Sequence, residues 1–151
     1  MSRSFIIAAW CLFEWAVTPF PTIVVTFVIS NYFARFLAAD PTIGSARWSY
    51  MIATAGAAIA ILSPLFGAIA DRLGHAKRGV AAGVLVTILS ASLLWYAKPD
   101  PALGTAALVL CGVGIIAYEL GLLFFNKLLP AVAPTELLGR VSGWGWALGY
   151  A

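Results

Sequence analysis

The chain has 151 residues, of which 62% are hydrophobic and only 10% are charged. A soluble domain has about 45–50% apolar and about 25% charged residues, and one of this size cannot bury so much apolar surface in a single core. The net charge of +3 comes from basic residues scattered between apolar runs, which is not the pattern of a nucleic-acid-binding surface. The composition therefore excludes a water-soluble fold and favours lipid as the solvent.

Four apolar stretches reach the length of about 20 residues that a membrane-spanning helix needs. They cover residues from about 6 to 32, 48 to 70, 79 to 97 and 103 to 125. A fifth apolar segment starts near Val141 and continues only to Ala151. We therefore predict an all-α, polytopic transmembrane helix bundle in contact with the lipid bilayer. We expect residues 1–151 to form an incomplete N-terminal bundle.

Pairs of glycines at a spacing of four predict close helix packing, because in lipid small residues let helix backbones approach each other. The pairs are Gly79 with Gly83, Gly139 with Gly143, and Gly145 with Gly149. The two cysteines, Cys11 and Cys111, lie inside apolar segments. We expect both to be small packing residues rather than a disulfide.

The distribution of basic residues predicts the orientation, since cytoplasmic loops carry an excess of Lys and Arg. If the N-terminus is cytoplasmic, that side receives Arg3, Arg72, Lys77, Arg78, Lys127 and Arg140, and the other side receives Arg35, Arg47 and Lys98. We therefore expect an integral protein of the plasma (inner) membrane with its N-terminus in the cytoplasm.

The loop after the second span is the most specific stretch of the sequence. Its candidate residues are Gly67, Asp71, Arg72, Gly74, Lys77 and Arg78. Basic side chains suit both a helix C-terminus and an anionic leaflet. Asp71 does not, because a carboxylate there faces the negative end of its own helix dipole, and it should therefore have a compensating partner. The loop is either a basic turn that fixes topology or a gating loop with a specific partner.

This loop, Gly-x-x-x-Asp-Arg-x-Gly with basic residues after it, resembles the signature loop of the major facilitator superfamily. The segments 10–16, 32–33, 124–130, 139–145 and 149–150 are similar to one branch of it, the vacuole-effluxer-like transporters, named for fungal autophagy-related vacuolar amino-acid effluxers. The resemblance covers essentially the whole chain. It implies the first four helices and the start of a fifth of a fold that usually has twelve. It also implies a second helix bundle in the remainder of the chain and a cytoplasmic gating role for the loop.

Two carboxylates, Glu14 and Glu119, lie inside apolar spans. An ionisable residue near the centre of a bilayer costs about 2.5–3.5 kcal/mol on insertion scales, so it usually faces a cavity or a partner. At 1.5 Å per residue both should lie roughly 9–13 Å below the cytoplasmic surface. The resemblance implies that helices one and four line a central cavity. We therefore expect the two glutamates to form a protonatable or cation-binding pair there.

The residues that follow Glu14 fit a polar pathway. Thr18, Thr22 and Thr26 repeat at intervals of four, and Pro19 and Pro21 cannot donate backbone hydrogen bonds. This predicts unwound backbone with free carbonyls, where transporter helices often hold ions. The alternative is that Glu14 reaches the headgroups and the prolines only kink the helix. The predicted pathway residues are Glu14, Trp15, Thr18, Thr22, Tyr118, Glu119 and Asn126.

These features predict a secondary active transporter of a small solute that works by alternating access, coupled to H+ or to a cation such as Na+. Two alternatives remain: a non-transporting structural or assembly subunit of the membrane, and a complete small protein that dimerises into a pore. We expect no enzymatic activity, cofactor or metal, because no Ser/His/Asp set, metal cluster or phosphate-binding glycine loop is visible and His75 is the one histidine.

Overall fold

The computed structural model describes residues 2–151, except for the side chains of residues 71–73. All the regular elements in this described part are helical. Four of the helices are long and apolar enough to cross a membrane, at Arg3–Leu37, Pro41–Ala70, Ala76–Tyr96 and Pro101–Asn126. The prediction of an all-α transmembrane bundle is confirmed, and the chain is an integral membrane protein.

Six helices follow one another in the described part of the chain. They are α1 at Arg3–Leu37, α2 at Pro41–Leu73, α3 at Ala76–Leu93, α4 at Gly104–Asn126, the short α5 at Leu129–Val132, and α6 at Leu138–Gly149. Tight turns of 3-10 helix lie at Leu94–Tyr96, Pro101–Leu103 and Thr135–Leu137. Helices α1 to α4 overlap the four predicted spans, and α6 includes most of the fifth apolar segment.

Helix α2 begins at Pro41, well before the predicted start near residue 48, because Asp40 caps it. The Asp40 carboxylate accepts hydrogen bonds from the backbone N–H groups of Thr42 at 2.8 Å and Ile43 at 3.1 Å. Proline at the first position suits a helix start, where its missing N–H is not needed. The two bonds hold the pKa of Asp40 below its usual range. The cap therefore stabilises the helix at neutral pH, and its contribution is lost as the pH falls through that lowered value.

Helix α1 does not unwind at its prolines, so that prediction was wrong. Thr18 has φ −60° and ψ −32°, and Pro19 has φ −57° and ψ −25°, both in the right-handed helical region. The backbone instead widens into a π-helix at Phe20–Ile29 and again at Phe33–Leu37. A wider turn shifts each N–H to an acceptor five residues back, which lets the helix continue past residues that cannot donate.

The buried apolar side chains form two clusters, one at each end of the bundle. The cluster at the amino-terminal end contains Trp10, Cys11, Phe125, Ala133 and Val141. The cluster at the opposite end contains Phe33, Leu37, Met51, Leu94, Ala107, Leu108 and Cys111. Both cysteines are free and buried, which confirms that they are packing residues.

Glycines bring α3 and α4 into close contact. A Cβ atom added at Gly83 would lie 2.6 Å from the Gly121 Cα and 2.8 Å from the Ala117 carbonyl oxygen. A Cβ atom added at Gly79 would likewise overlap the ring of Phe124. The packing role predicted for Gly79 and Gly83 is therefore confirmed.

The other two glycine pairs differ from each other. Gly145 and Gly149 lie against α1, as predicted. An atom added at Gly139 or Gly143 would meet nothing within 4 Å in the described chain, so the structure gives this pair no close helix neighbour.

We predict that Gly83→Ala lowers the thermal stability of the protein, because the new methyl group meets backbone atoms of α4 that only a helix shift can move. Overpacking of this kind costs about 1–3 kcal/mol. Gly56→Ala is the matched control, since an atom added at Gly56 meets nothing within 4 Å and alanine favours a helix. Thermal unfolding in detergent measures the difference, and equal midpoints for the two variants would contradict the close contact.

Candidate functional site

The Glu14 side chain is buried between α1 and α6, with 6% of its surface exposed. A Cβ atom added at Gly145 would lie 3.2 Å from Glu14 Cγ. One added at Gly149 would lie 2.8 Å from Thr18 Oγ1. The two glycines therefore leave the space that the Glu14 and Thr18 side chains occupy. We call this contact of Glu14, Thr18, Gly145 and Gly149 the α1–α6 seam.

Thr18 and Tyr118 add hydroxyl groups to the seam. Thr18 is 5% exposed, and its Oγ1 donates a hydrogen bond to the Glu14 carbonyl oxygen at 2.7 Å. The half-buried Tyr118 of α4 interacts with the Thr18 side chain. Its hydroxyl also lies within electrostatic range of Glu14 and Glu119.

Glu119 lies beside the seam rather than in it. Its side chain is on an exposed face of α4, while the neighbouring residue Tyr118 turns towards α1. Both glutamates act electrostatically on the Tyr118 hydroxyl. That they form one functional pair stays a prediction.

The remaining predicted pathway residues lie at different distances from the seam. Trp15 is 54% exposed and points away from it. Thr22 is half-buried, and its hydroxyl donates to the Thr18 carbonyl oxygen at 2.7 Å, which continues the hydroxyl stripe along α1. Asn126 is exposed at the last position of α4.

The structure adds a ring contact and a cavity near the seam that the sequence did not indicate. Trp10 stacks on Phe125 with ring centroids 3.7 Å apart, next to Glu14 on α1. A mostly apolar cavity of about 430 Å³ between α1, α3 and α4 has Tyr118 on its wall. Glu14 is therefore a buried carboxylate whose surroundings on α1 and α6 are mostly apolar.

The last part of α2 is linked to the end of α4 by a residue that sequence reasoning used only for orientation. Lys127 Nζ donates a hydrogen bond to the Gly67 carbonyl oxygen at 2.8 Å. Gly74 ends α2 in the left-handed region, with φ 61°, where glycine is favoured. The side chains of Asp71 and Arg72, which belong to the predicted gating loop, lie outside the described residues.

The basic residues at the start of α3 are exposed to the surroundings. These are Lys77 and Arg78. The Arg78 guanidinium lies 3.5 Å from His75 Nε2, so the histidine belongs to the loop surface. Both exposed cations are placed where they can meet lipid headgroups or another part of the protein.

We predict that Gly145→Leu exposes the Glu14 carboxylate, because the larger side chain needs the space between Glu14 Cγ and the Trp10 ring. Labelling by a lipid-soluble carbodiimide, located by peptide mass spectrometry, should then be several-fold faster at Glu14 than in the wild type. Gly143→Leu is the control, since an atom added there meets nothing within 4 Å. The same labelling rate in both variants would show that α6 does not cover Glu14.

Comparison with known proteins gives one informative relative. A protein of Bacillus subtilis strain 168, described as "Uncharacterized MFS-type transporter YxiO", is 28% identical over 146 residues. The match covers 94% of this chain and 33% of the relative, so the chain spans about a third of its length. No family model matches, and no solved structure matches. This weak homology supports membership of the major facilitator superfamily.

Proposed function

We propose that the chain is the N-terminal part of a secondary active transporter that moves a small solute by alternating access, driven by H+ or by a cation such as Na+. The observation that carries the proposal is the burial of Glu14 in the α1–α6 seam, at 6% exposure inside an apolar helix. The homology to a protein named as a transporter supports the same class and favours a role other than catalysis.

The surroundings of Glu14 fit a role in ion coupling better than a purely structural role. Its neighbours among the described residues are neutral: Trp10, Thr18, Tyr118 and Gly145. A buried carboxylate without an opposite charge is costly, and a proton or a bound cation would remove that cost. A structural subunit does not need a side chain that takes up a proton or a cation. A transporter can load such a charge on one side of the membrane and release it on the other.

Tyr118 gives Glu14 a route to a second carboxylate. Its hydroxyl is in electrostatic range of both Glu14 and Glu119, and a phenol can both donate and accept a hydrogen bond. In the proposed mechanism Glu119 exchanges its proton or cation with water, and Tyr118 and Thr18 connect that exposed group to the buried one.

The loop after α2 is proposed as the cytoplasmic gate. The Lys127–Gly67 hydrogen bond joins the ends of α2 and α4, so the two helices would move together. Exposed Lys77 and Arg78, with Asp71 and Arg72, would meet the second helix bundle of the longer protein. The excess of basic residues at this end supports a cytoplasmic N-terminus and a plasma (inner) membrane location.

The resemblance to the vacuole-effluxer-like branch suggests amino acids as the first substrates to test. A small complete pore and a non-transporting subunit have less support, because the relative is named as a transporter and is about three times as long as its match to this chain.

We predict that Glu14→Gln and Glu119→Gln abolish ion-driven solute movement in the full-length protein, because the amide keeps the shape of the side chain but cannot take up a proton or neutralise a cation. Flux should fall at least ten-fold in proteoliposomes given a proton or sodium gradient and a radiolabelled amino-acid panel. Glu136→Gln is the matched control, since Glu136 is exposed in the Thr135–Leu137 turn.

Expression and thermal stability should stay close to wild type in all three variants. If the Glu14 and Glu119 variants transport at the wild-type rate under both gradients, the carboxylates are structural and the coupling site lies elsewhere in the protein.

A further inference from the structure

A groove between α2 and α4 lies apart from the α1–α6 seam. It has a volume of about 490 Å³, within the range of about 300–1,000 Å³ that small-molecule sites occupy. Its walls include Arg47, Met51 and Thr54 of α2 and Leu108, Gly112 and Ile116 of α4. A Cβ atom added at Gly112 would lie 3.6 Å from the Met51 side chain, so this glycine helps to keep the groove open.

The groove lies on the face of α4 that also carries the ionisable residue Glu119. Thr105, Val109, Gly112, Ile116 and Glu119 follow one another at alternating spacings of four and three residues, and therefore share one side of the helix. Glu119 is exposed on that side. Because an ionisable residue inside a membrane usually faces the protein interior or a water-filled cavity, the groove on the same face should open to the transport pathway.

Arg47 is held in a fixed position at the far end of the groove. Its Nη2 donates a hydrogen bond to Thr105 Oγ1 at 2.9 Å, and its guanidinium lies over the Phe33 ring, 5.9 Å from the centroid. A guanidinium has five N–H donors in a planar fork, so donors remain for a ligand. This fork matches a carboxylate, which it can bind through two parallel hydrogen bonds.

The distribution of charge along the groove indicates which class of ligand it can bind. Arg47 is the charged residue on its described walls, and most of the other lining side chains are apolar. A site with one cation at its end and apolar walls suits a ligand with one anionic group and an apolar body.

We propose that this groove binds a small solute with a carboxylate and an apolar body, the carboxylate on Arg47 and the body between α2 and α4. The inference rests on the proposed transport function and adds to it a site, a substrate class and a recognition residue. Binding is measured at equilibrium, so a failure of transport and a failure of this site can be told apart.

The experiment titrates the full-length protein with phenylacetate and with phenylacetamide, which has the same apolar body without the charge. Calorimetry is carried out in nanodiscs of phosphatidylcholine. We expect the wild type to bind phenylacetate at least ten-fold more tightly than the amide. Arg47→Gln should remove this preference, and Arg47→Lys should keep part of it.

Two further variants separate the groove from general effects of charge. Arg35→Gln is the matched control, since Arg35 is an exposed arginine near the same end of the bundle, and it should bind like the wild type. Gly112→Leu should weaken phenylacetate and phenylacetamide alike by filling the groove.

Equal binding of the two probes by the wild type, or unchanged binding in Arg47→Gln, would overturn the proposal. So would a result in which Arg47→Gln alters only the retention of phosphatidylglycerol, measured by native mass spectrometry, because the occupant would then be a lipid.

Discussion

The structure depends on a constraint that the bilayer imposes: helices in lipid gain nothing from hydrophobic association, so they must pack through close contact of small residues. Glycines supply that contact at two places, Gly83 with Gly121 between α3 and α4, and Gly145 with Gly149 against α1. The contact of Gly145 and Gly149 with α1 has a second consequence. It leaves room for a carboxylate within an apolar helix, so that packing and chemistry use the same surface.

The α1–α6 seam meets α4 at Tyr118, and the groove lies along α4 on the side of the adjacent residue, Glu119. Tyr118 turns towards the seam, and Glu119 lies on the groove side. A charge bound near Glu119 and a solute bound near Arg47 would therefore act on the same helix. In the proposed mechanism, this shared helix is the physical means by which ion binding and solute binding influence each other.

Hydropathy predicted four long apolar helices, because lipid requires about 20 apolar residues regardless of how the helices pack. The early start of α2 was missed, since it depends on one side chain, Asp40, that caps polar residues before the apolar run. The seam could not be predicted, because Glu14 and Gly145 are distant in sequence and only their packing joins them. The error at Pro19 arose because a missing donor suggested an unwound chain, whereas a wider helical turn keeps the helix continuous.

The central claim is that the buried seam belongs to a pathway that opens to one side of the membrane at a time. Thr18→Cys in full-length protein lacking Cys11 and Cys111 tests it, with a membrane-impermeant maleimide applied to either side of oriented proteoliposomes. The account predicts labelling from one side only, and a change of that side when the ion gradient is reversed. The account would be contradicted if labelling were the same from both sides and under both gradients, or if no labelling occurred under any condition.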